Sequence, residues 1–223
     1  MPLREIQGPA GALEALLDEP PAAGGVNEEG LFERGAADGL RAAVVLAHPH
    51  PQYGGTMHTK VVYQAAKAFK RIGCVVLRFN FRGTGQSAGV YDEGRGEMDD
   101  FSAALGFMRD QYRDIPLWAA GMSFGAWVSL TVGASDPHVT TLLGIAPPLS
   151  RYDFEPVRAS MKPKFFIQGE RDELCPLKEM QDFYAKAADP KELVVIDAAD
   201  HLFDGKTGEV ADAIEDLFGD WNE

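Results

Sequence analysis

Short apolar runs alternate along most of the chain with longer segments whose apolar residues recur at helical spacing. Residues 42–47 are apolar throughout, which is typical of a strand buried on both faces of a parallel sheet. Residues 58–71 then carry apolar side chains three and four positions apart and predict an amphipathic helix. By the same signals, strands are predicted at residues 3–7, 12–17, 42–47, 74–81, 116–120, 139–145, 164–168 and 193–197. Helices are predicted at residues 58–71, 98–112, 124–133, 178–188 and 209–218.

Strands that alternate with helices are typical of a parallel sheet with helices on both faces. The pattern therefore predicts an α/β fold with a mostly parallel central sheet, in a single domain over residues 1–223. Residues 20–39 are rich in Pro, Gly, Ala and acidic side chains, which predicts a flexible surface loop with one short strand at residues 31–34.

The balance of 21 Lys and Arg against 34 Asp and Glu gives a formal net charge of −13. Because such a surface repels phosphate backbones, we expect no nucleic-acid partner. Two cysteines, Cys74 and Cys175, are too few for a disulfide framework or a Cys-rich metal site. The first residues lack the apolar core of a signal peptide and no apolar run approaches membrane-spanning length, so we expect a cytoplasmic enzyme with no membrane partner.

The strand at residues 116–120 leads into Gly121-Met122-Ser123-Phe124-Gly125 and then into a helix. A serine on a sharp strand-to-helix turn is held in a strained conformation that exposes its hydroxyl, and such a turn favours flanking glycines. The backbone N–H of Phe124 would lie at the helix N-terminus, where it can stabilise an oxyanion. Ser123 is therefore the candidate nucleophile and Phe124 a candidate oxyanion donor, and the alternative is a serine that only caps the helix.

A serine nucleophile needs a base, and the base needs an acid that orients it. His201 follows the last predicted strand and is the candidate base, with a surface loop histidine as the alternative. Three carboxylates follow the strand at residues 164–168. We expect Asp172 to be the orienting acid, because it lies just past a glycine turn, while Glu170 and Glu173 stay alternatives. Ligands of open α/β sheets bind at the carboxyl ends of strands, where all these candidates lie.

The order Ser123, Asp172, His201 is the order of α/β-hydrolases. From about residue 42 to the C-terminus the chain resembles that superfamily, in particular small bacterial serine hydrolases and esterases with a minimal lid or none, similar to dienelactone hydrolases. The matching motifs are His48-Pro49-His50-Pro51 with Gly54-Gly55, Asn80-Phe81-Arg82-Gly83-Thr84-Gly85-Gln86-Ser87, the Ser123 turn, Gly169-Glu170-Arg171-Asp172 and Asp200-His201.

The resemblance implies that the loop after residues 42–47 supplies a second oxyanion donor. Pro49 and Pro51 have no N–H, and His50 best matches the position of the donor in the superfamily. Dienelactone hydrolases themselves use a cysteine nucleophile, so Ser123 argues against transferring their activity to this chain.

Two other patterns predict different chemistry. Residues 83–88 imitate a dinucleotide-binding loop, but residues 89–94 do not open a helix that could face a pyrophosphate. His48 and His50, with His58, could ligate a metal, yet no carboxylate or cysteine in that loop completes a site. We therefore expect neither a cofactor nor a metal.

The sequence thus predicts a serine hydrolase of the carboxylesterase type that cleaves small or short-acyl esters through an acyl-enzyme. Too few residues separate Pro147 from Lys164 for a large helical lid, and Tyr152, Phe154 and Met161 are expected to wall a shallow pocket. A peptidase or thioesterase with the same triad, and a non-catalytic binding protein with the same fold, stay open as alternatives. The expected partner is a small-molecule ester, and the sequence leaves a homodimer open.

Overall fold

A computed structural model of the chain describes residues 3–20, 39–219 and 221. Within these ranges the strands are β1 (Leu3–Gly8), β2 (Gly11–Asp18), β3 (Ala43–Ala47), β4 (Val75–Phe79), β5 (Leu117–Met122), β6 (Val139–Ile145), β7 (Lys164–Gly169) and β8 (Lys191–Ile196). The helices are α1 (Lys60–Arg71), α2 (Arg95–Gln111), α3 (Phe124–Ser135), α4 (Glu155–Ala159), α5 (Leu177–Lys186) and α6 (Thr207–Gly219). A single 3₁₀ turn follows β3 at Pro51–Tyr53.

The predicted strands and helices correspond to observed elements whose ends differ by at most three residues. The largest difference is at α2, which begins at Arg95 because Glu97 caps its first turn. The Glu97 carboxylate accepts hydrogen bonds from the N–H groups of Gly94 at 2.8 Å and Asp92 at 3.0 Å. The 3₁₀ turn and α4 were not predicted, since three and five residues are too short to show a period. The strand predicted at residues 31–34 lies outside the described residues, as does most of the predicted 20–39 loop.

The strands form one sheet in the order β1-β2-β4-β3-β5-β6-β7-β8. Strand β2 pairs antiparallel with β1 and β4, and every pairing from β4 onward is parallel. The mostly parallel sheet is therefore confirmed. Because the parallel strands run in one direction, their carboxyl ends share one edge, and the loops that follow β3, β5, β7 and β8 meet there.

Both faces of the sheet are covered by helices. In β3, Val44 and Leu46 pack in a cluster with α1 and α6, whereas Ala43, Val45 and Ala47 pack on the other face with α2 and α3. All five residues are buried, which explains why this strand is apolar without alternation. Each large aliphatic side chain buried in this way contributes about 2 kcal/mol to folding.

The loop after β4 is a hydrogen-bonded turn. The Glu14 carboxylate accepts a hydrogen bond from Asn80 Nδ2 and another from the N–H of Gln86, each at 2.8 Å. The hydroxyl of Ser87 donates to the carbonyl of Asn80 at 2.6 Å. These bonds tie the loop to β2 and to itself. In the part of the chain that the structure describes, no helix is long and apolar enough to cross a membrane.

Candidate active site

Ser123 lies on the tight turn between β5 and α3, with φ 54° and ψ −122°. A non-glycine residue at positive φ costs about 1–3 kcal/mol and persists where packing enforces it. Close backbone contacts enforce it here. A Cβ added to Gly121 would lie 2.3 Å from the carbonyl oxygen of Gly125, and one added to Gly125 would lie 2.4 Å from that of His48. The two glycines therefore let α3 approach the ends of β5 and β3 closely enough to hold the turn.

The fold brings the serine, histidine and aspartate candidates into one hydrogen-bonded series. His201 Nε2 lies 2.9 Å from Ser123 Oγ, and His201 Nδ1 lies 2.8 Å from Asp172 Oδ2. A carboxylate can only accept, so Nδ1 carries a proton and donates it. In the neutral ring Nε2 then accepts from the Ser123 hydroxyl. The Asp172 side chain is fully buried and that of His201 is 12% exposed, so the series opens to solvent at its serine end.

Asp172 accepts four hydrogen bonds. Its Oδ1 accepts from the N–H groups of Leu174 at 2.9 Å and Cys175 at 2.8 Å, and its Oδ2 accepts from His201 and from Gln168 Nε2 at 3.0 Å. A carboxylate has about four acceptor positions, so all of them are used. The orientation of Asp172 is thus set by the loop after β7 and by Gln168 near the end of that strand.

The competing acids lie elsewhere. Glu170 Oε2 accepts from the N–H of Ala198 at 2.8 Å, and Glu173 is exposed. Gln168, which binds Asp172, was not singled out from the sequence. The signal available was an amide residue that follows the three apolar residues 165–167 of a buried strand, where a polar side chain is buried only if it has partners.

His48 is buried and uses both ring nitrogens within the protein. Its Nδ1 donates to the carbonyl of Pro49 at 2.6 Å and its Nε2 accepts from the N–H of Phe81 at 3.1 Å. Burial lowers the pKa of His48 to about 4, so the ring is neutral at physiological pH. The bond to Phe81 joins the end of β3 to the end of β4. The burial of the His48 ring is thus explained by its hydrogen bonds within the protein.

His50 lies in the same loop but faces the candidate site. Its ring packs against Phe124, with the ring centroids 4.8 Å apart, and its Nε2 lies 3.2 Å from the hydroxyl oxygen of Tyr91. Its Nδ1 accepts from the N–H of Gln52 at 3.3 Å, which places the ring proton on Nε2. Partial burial, and secondarily the charge of Arg151, lower the pKa of His50.

Three potential metal ligands, the side chains of Asp172, Cys175 and His201, offer atoms within 4.8 Å of one another. Each of them already has a protein partner. The Cys175 thiol donates to the carbonyl of Ala146 at 3.4 Å, and burial strongly raises its pKa, which disfavours the thiolate that binds metals. The hydrogen bonds of the three side chains account for their proximity.

A cavity of about 560 Å³ opens in front of Ser123. Phe124 and His50 line it together with Ser123 and His201. Of the predicted wall residues, Tyr152 does line the cavity, and Cys175 lines it as well. Two expected wall residues do not line it: Phe154 is buried against Phe183 of α5, and Met161 is 73% exposed at the surface. The sequence also missed Arg151, a lining residue, because position along the chain does not show which loop residues face a cavity.

A serine on the β5–α3 turn and a histidine after the last strand of a mostly parallel sheet form the arrangement of the α/β-hydrolase class. Comparison with known proteins agrees. The family model described as alpha/beta hydrolase domain matches residues 40–215. Uncharacterized protein RP471 of Rickettsia prowazekii is 35% identical over 197 residues, which cover 84% of this chain and 82% of that protein. The chain belongs to the alpha/beta hydrolase family.

Solved structures place it among serine hydrolases of this fold. An alpha-beta serine hydrolase homologue from Coxiella burnetii superposes with a TM-score of 0.85 at 34% identity, covering 97% of each chain. The protein XC6422 of Xanthomonas campestris, an α/β serine hydrolase without a lid, superposes with a TM-score of 0.84 at 33% identity, covering 96% of this chain and 92% of that one. The predicted superfamily and the fold with a minimal lid or none are confirmed.

Proposed function

We propose that the protein is a carboxylesterase that cleaves small or short-acyl esters through an acyl-enzyme. The observation that supports this most directly is the continuous series of hydrogen bonds from Ser123 through His201 to Asp172, at 2.9 and 2.8 Å. Its serine end opens into the cavity that would hold the ester.

In the proposed reaction, Ser123 Oγ attacks the ester carbonyl carbon while its proton passes to His201 Nε2. Asp172 stabilises the imidazolium through Nδ1. Collapse of the tetrahedral intermediate breaks the bond to the alcohol oxygen, which takes the proton from His201, and leaves an acyl group on Ser123. His201 then removes a proton from water, the water attacks the acyl carbon, and the acid leaves as the proton returns to Ser123.

The proposed oxyanion donors are the backbone N–H groups of Phe124 and His50. Phe124 is the first residue of α3, and the first N–H groups of a helix have no carbonyl partner within the helix. His50 comes from the loop after β3, and its ring packs directly on Phe124. Two donors from two separate loops would hold the developing charge from both sides.

The proposed preference for short acyl groups rests on the connection between β6 and β7. That connection contains one short helix, α4. Tyr152, which lines the cavity there, stacks on Trp127 with ring centroids 4.1 Å apart, and Trp127 Nε1 donates to the carbonyl of Asp153 at 3.2 Å. These contacts give the cavity a fixed wall, and among the residues that the structure describes no large lid covers a long acyl chain.

The test is hydrolysis of p-nitrophenyl acetate and butyrate by the wild-type protein and by Ser123→Ala. We expect the variant to lose about 10⁴-fold or more in kcat, because no other group supplies the nucleophile. A fluorophosphonate probe should label the wild type and fail to label the variant. Ser102→Ala, an exposed serine on α2, is the matched control and should behave as wild type. Wild-type turnover by Ser123→Ala would contradict the assignment.

Substrate range is tested separately. A series of p-nitrophenyl esters from acetate to palmitate should peak at the short end, and a peak at long acyl groups would overturn the size preference. Matched thioester and amide substrates, assayed with the same protein, should be cleaved more slowly than the ester. A clear preference for either would move the proposal to a thioesterase or a peptidase while leaving the role of Ser123 intact.

A further inference from the structure

Arg151 places a cation at the edge of the proposed ester-binding cavity. It lines the cavity that also contains Ser123 and His201, and the lining residues within ranges 3–20, 39–219 and 221 include no Asp or Glu. Arg151 is therefore the permanently charged residue of that wall, since an arginine side chain stays protonated at all physiological pH values.

The carboxylates next to Arg151 in the chain are occupied by other groups. Asp153 Oδ1 accepts from the N–H of Glu155 at 2.8 Å. Glu155 in turn binds Arg158 through two hydrogen bonds, at 2.7 and 2.6 Å. In residues 3–20, 39–219 and 221, Arg151 has no ion pair with an acidic side chain. The exposed guanidinium is thus available to a ligand.

The backbone at this position is well anchored. The N–H of Arg151 donates to the carbonyl of Pro148 at 3.0 Å, which closes a turn. The next residue, Tyr152, is held by its stack on Trp127. Because these contacts hold the backbone of Arg151 and of the residue after it, the Cα atom of Arg151 has a defined position on the cavity wall.

The charge of Arg151 is felt by residues from two other loops of the cavity. It lowers the pKa of His50, adding to the larger effect of burial. It also acts to lower the pKa of Cys175, against the larger effect of burial, which raises it. His50 follows β3 and Cys175 follows β7, and both line the cavity with Ser123. The positive potential therefore extends into the space where an ester would sit.

We propose that Arg151 recognises a carboxylate carried by the substrate, so that the preferred esters are short esters with one free carboxylate. This inference rests on the proposed esterase function. An arginine guanidinium binds a carboxylate through two parallel hydrogen bonds, which orient the carboxylate in addition to neutralising its charge. The protein as a whole carries a net charge of −13 and repels anions at long range, so a cation in the cavity would act locally, after the substrate has arrived.

The test compares anionic esters with neutral counterparts of the same length. One pair, p-nitrophenyl hydrogen adipate and p-nitrophenyl methyl adipate, places the carboxylate on the acyl side. The other, para-acetoxybenzoate and its methyl ester, places it on the alcohol side. The measured quantity is the ratio of kcat/KM for the anionic ester to kcat/KM for the neutral one, corrected for spontaneous hydrolysis at constant ionic strength.

We expect Arg151→Met to lower this ratio about tenfold for at least one pair, the order expected for loss of a charge-assisted hydrogen bond that is partly exposed. Arg151→Lys should give an intermediate ratio, since it keeps the charge and loses the paired geometry. The control is Arg109→Met, which removes the same charge from the exposed surface of α2 and should keep the wild-type ratio. A change below about threefold in both pairs for Arg151→Met would overturn the inference.

A binding measurement separates this inference from the esterase proposal. Monomethyl adipate and dimethyl adipate are titrated into Ser123→Ala and into the double variant Ser123→Ala, Arg151→Met, with calorimetric detection. Tighter binding of the anion that disappears with Arg151 supports recognition even if no ester is turned over. Equal binding of the anion by the two proteins, together with an unchanged kinetic ratio, refutes it even if the protein proves to be an esterase.

Discussion

Replacing Asp172 with Asn tests whether the carboxylate controls the proton on His201. The carboxylate accepts four hydrogen bonds, from the N–H groups of Leu174 and Cys175, from Gln168 Nε2 and from His201 Nδ1. An amide of the same shape has one acceptor oxygen and one NH₂ group, which is a donor. Two of the four donors must therefore face another donor in the variant.

The backbone N–H groups cannot move, so the amide oxygen is expected to stay with Leu174 and Cys175 and the NH₂ group to face Gln168 and His201. His201 can then keep a hydrogen bond only by accepting at Nδ1, which moves its proton to Nε2. A protonated Nε2 cannot accept the proton of Ser123, whose Oγ lies 2.9 Å away. In hydrolases with a Ser-His-Asp triad, the wrong histidine tautomer lowers the rate about 10⁴-fold. At about 1.36 kcal/mol per tenfold change, the activation barrier rises by about 5 kcal/mol.

The assay is steady-state hydrolysis of p-nitrophenyl butyrate at neutral pH, with kcat and KM determined separately. We expect the loss to appear in kcat, because the cavity walls that bind the ester are unchanged. Glu173→Gln is the control: it removes one negative charge from the neighbouring, exposed position and should leave kcat near wild type. Circular dichroism melting checks that the variant is folded. A folded Asp172→Asn protein that keeps more than about a tenth of wild-type kcat would refute the tautomer argument.

Two further changes test how the site is built. Gly125→Ala should reduce kcat strongly in the same assay, because its new Cβ would lie 2.4 Å from the carbonyl oxygen of His48 and would push α3 and the Ser123 turn away from the end of β3. Gly106→Ala, on the open side of α2, should leave kcat unchanged, and equal activities of the two variants would contradict this. The pKa of the His48 side chain is about 4 in the folded protein and 6.5 for an unperturbed histidine. As the pH drops from about 6.5 to 4, the unfolded chain therefore binds a proton at His48 that the folded protein does not bind. The free energy of unfolding should fall by about 3 kcal/mol over this range. His48→Gln, whose oxygen can still accept from Phe81, should flatten this part of the pH profile in urea unfolding, and identical profiles would argue against the buried neutral imidazole.

The predictable part of this protein rests on local signals. Apolar runs marked the strands because residues buried on both faces need no polar alternation, as in β3, where all five side chains are buried. The Ser123 turn was recognisable because its geometry demands small neighbours within two positions. In the structure, a Cβ added to Gly121 or Gly125 would lie 2.3 or 2.4 Å from a backbone carbonyl oxygen. Such features depend on residues close together in the chain, and they need no knowledge of how the strands are ordered.

The sequence did not predict which loop residues line the cavity. Nothing in the sequence distinguishes Arg151 from other arginines, and only the structure shows that it lines the same cavity as Ser123. Phe154 and Met161 were expected to wall that cavity on position alone, yet one packs on α5 and the other faces solvent. The direction of a side chain in a loop depends on the elements packed against that loop, which the local pattern does not contain.

The sequence by itself therefore determined the α/β class, the alternation of strands and helices and the serine turn, since each follows from periodicity or from backbone sterics over a few residues. Only the tertiary structure decided which of Glu170, Asp172 and Glu173 meets His201. Ser123 and His201 are 78 positions apart in the chain, and His201 and Asp172 are 29 apart. Hydrogen bonds below 3 Å between such distant residues depend on how β5, β7 and β8 align in the sheet, and that alignment is a property of the whole packed core.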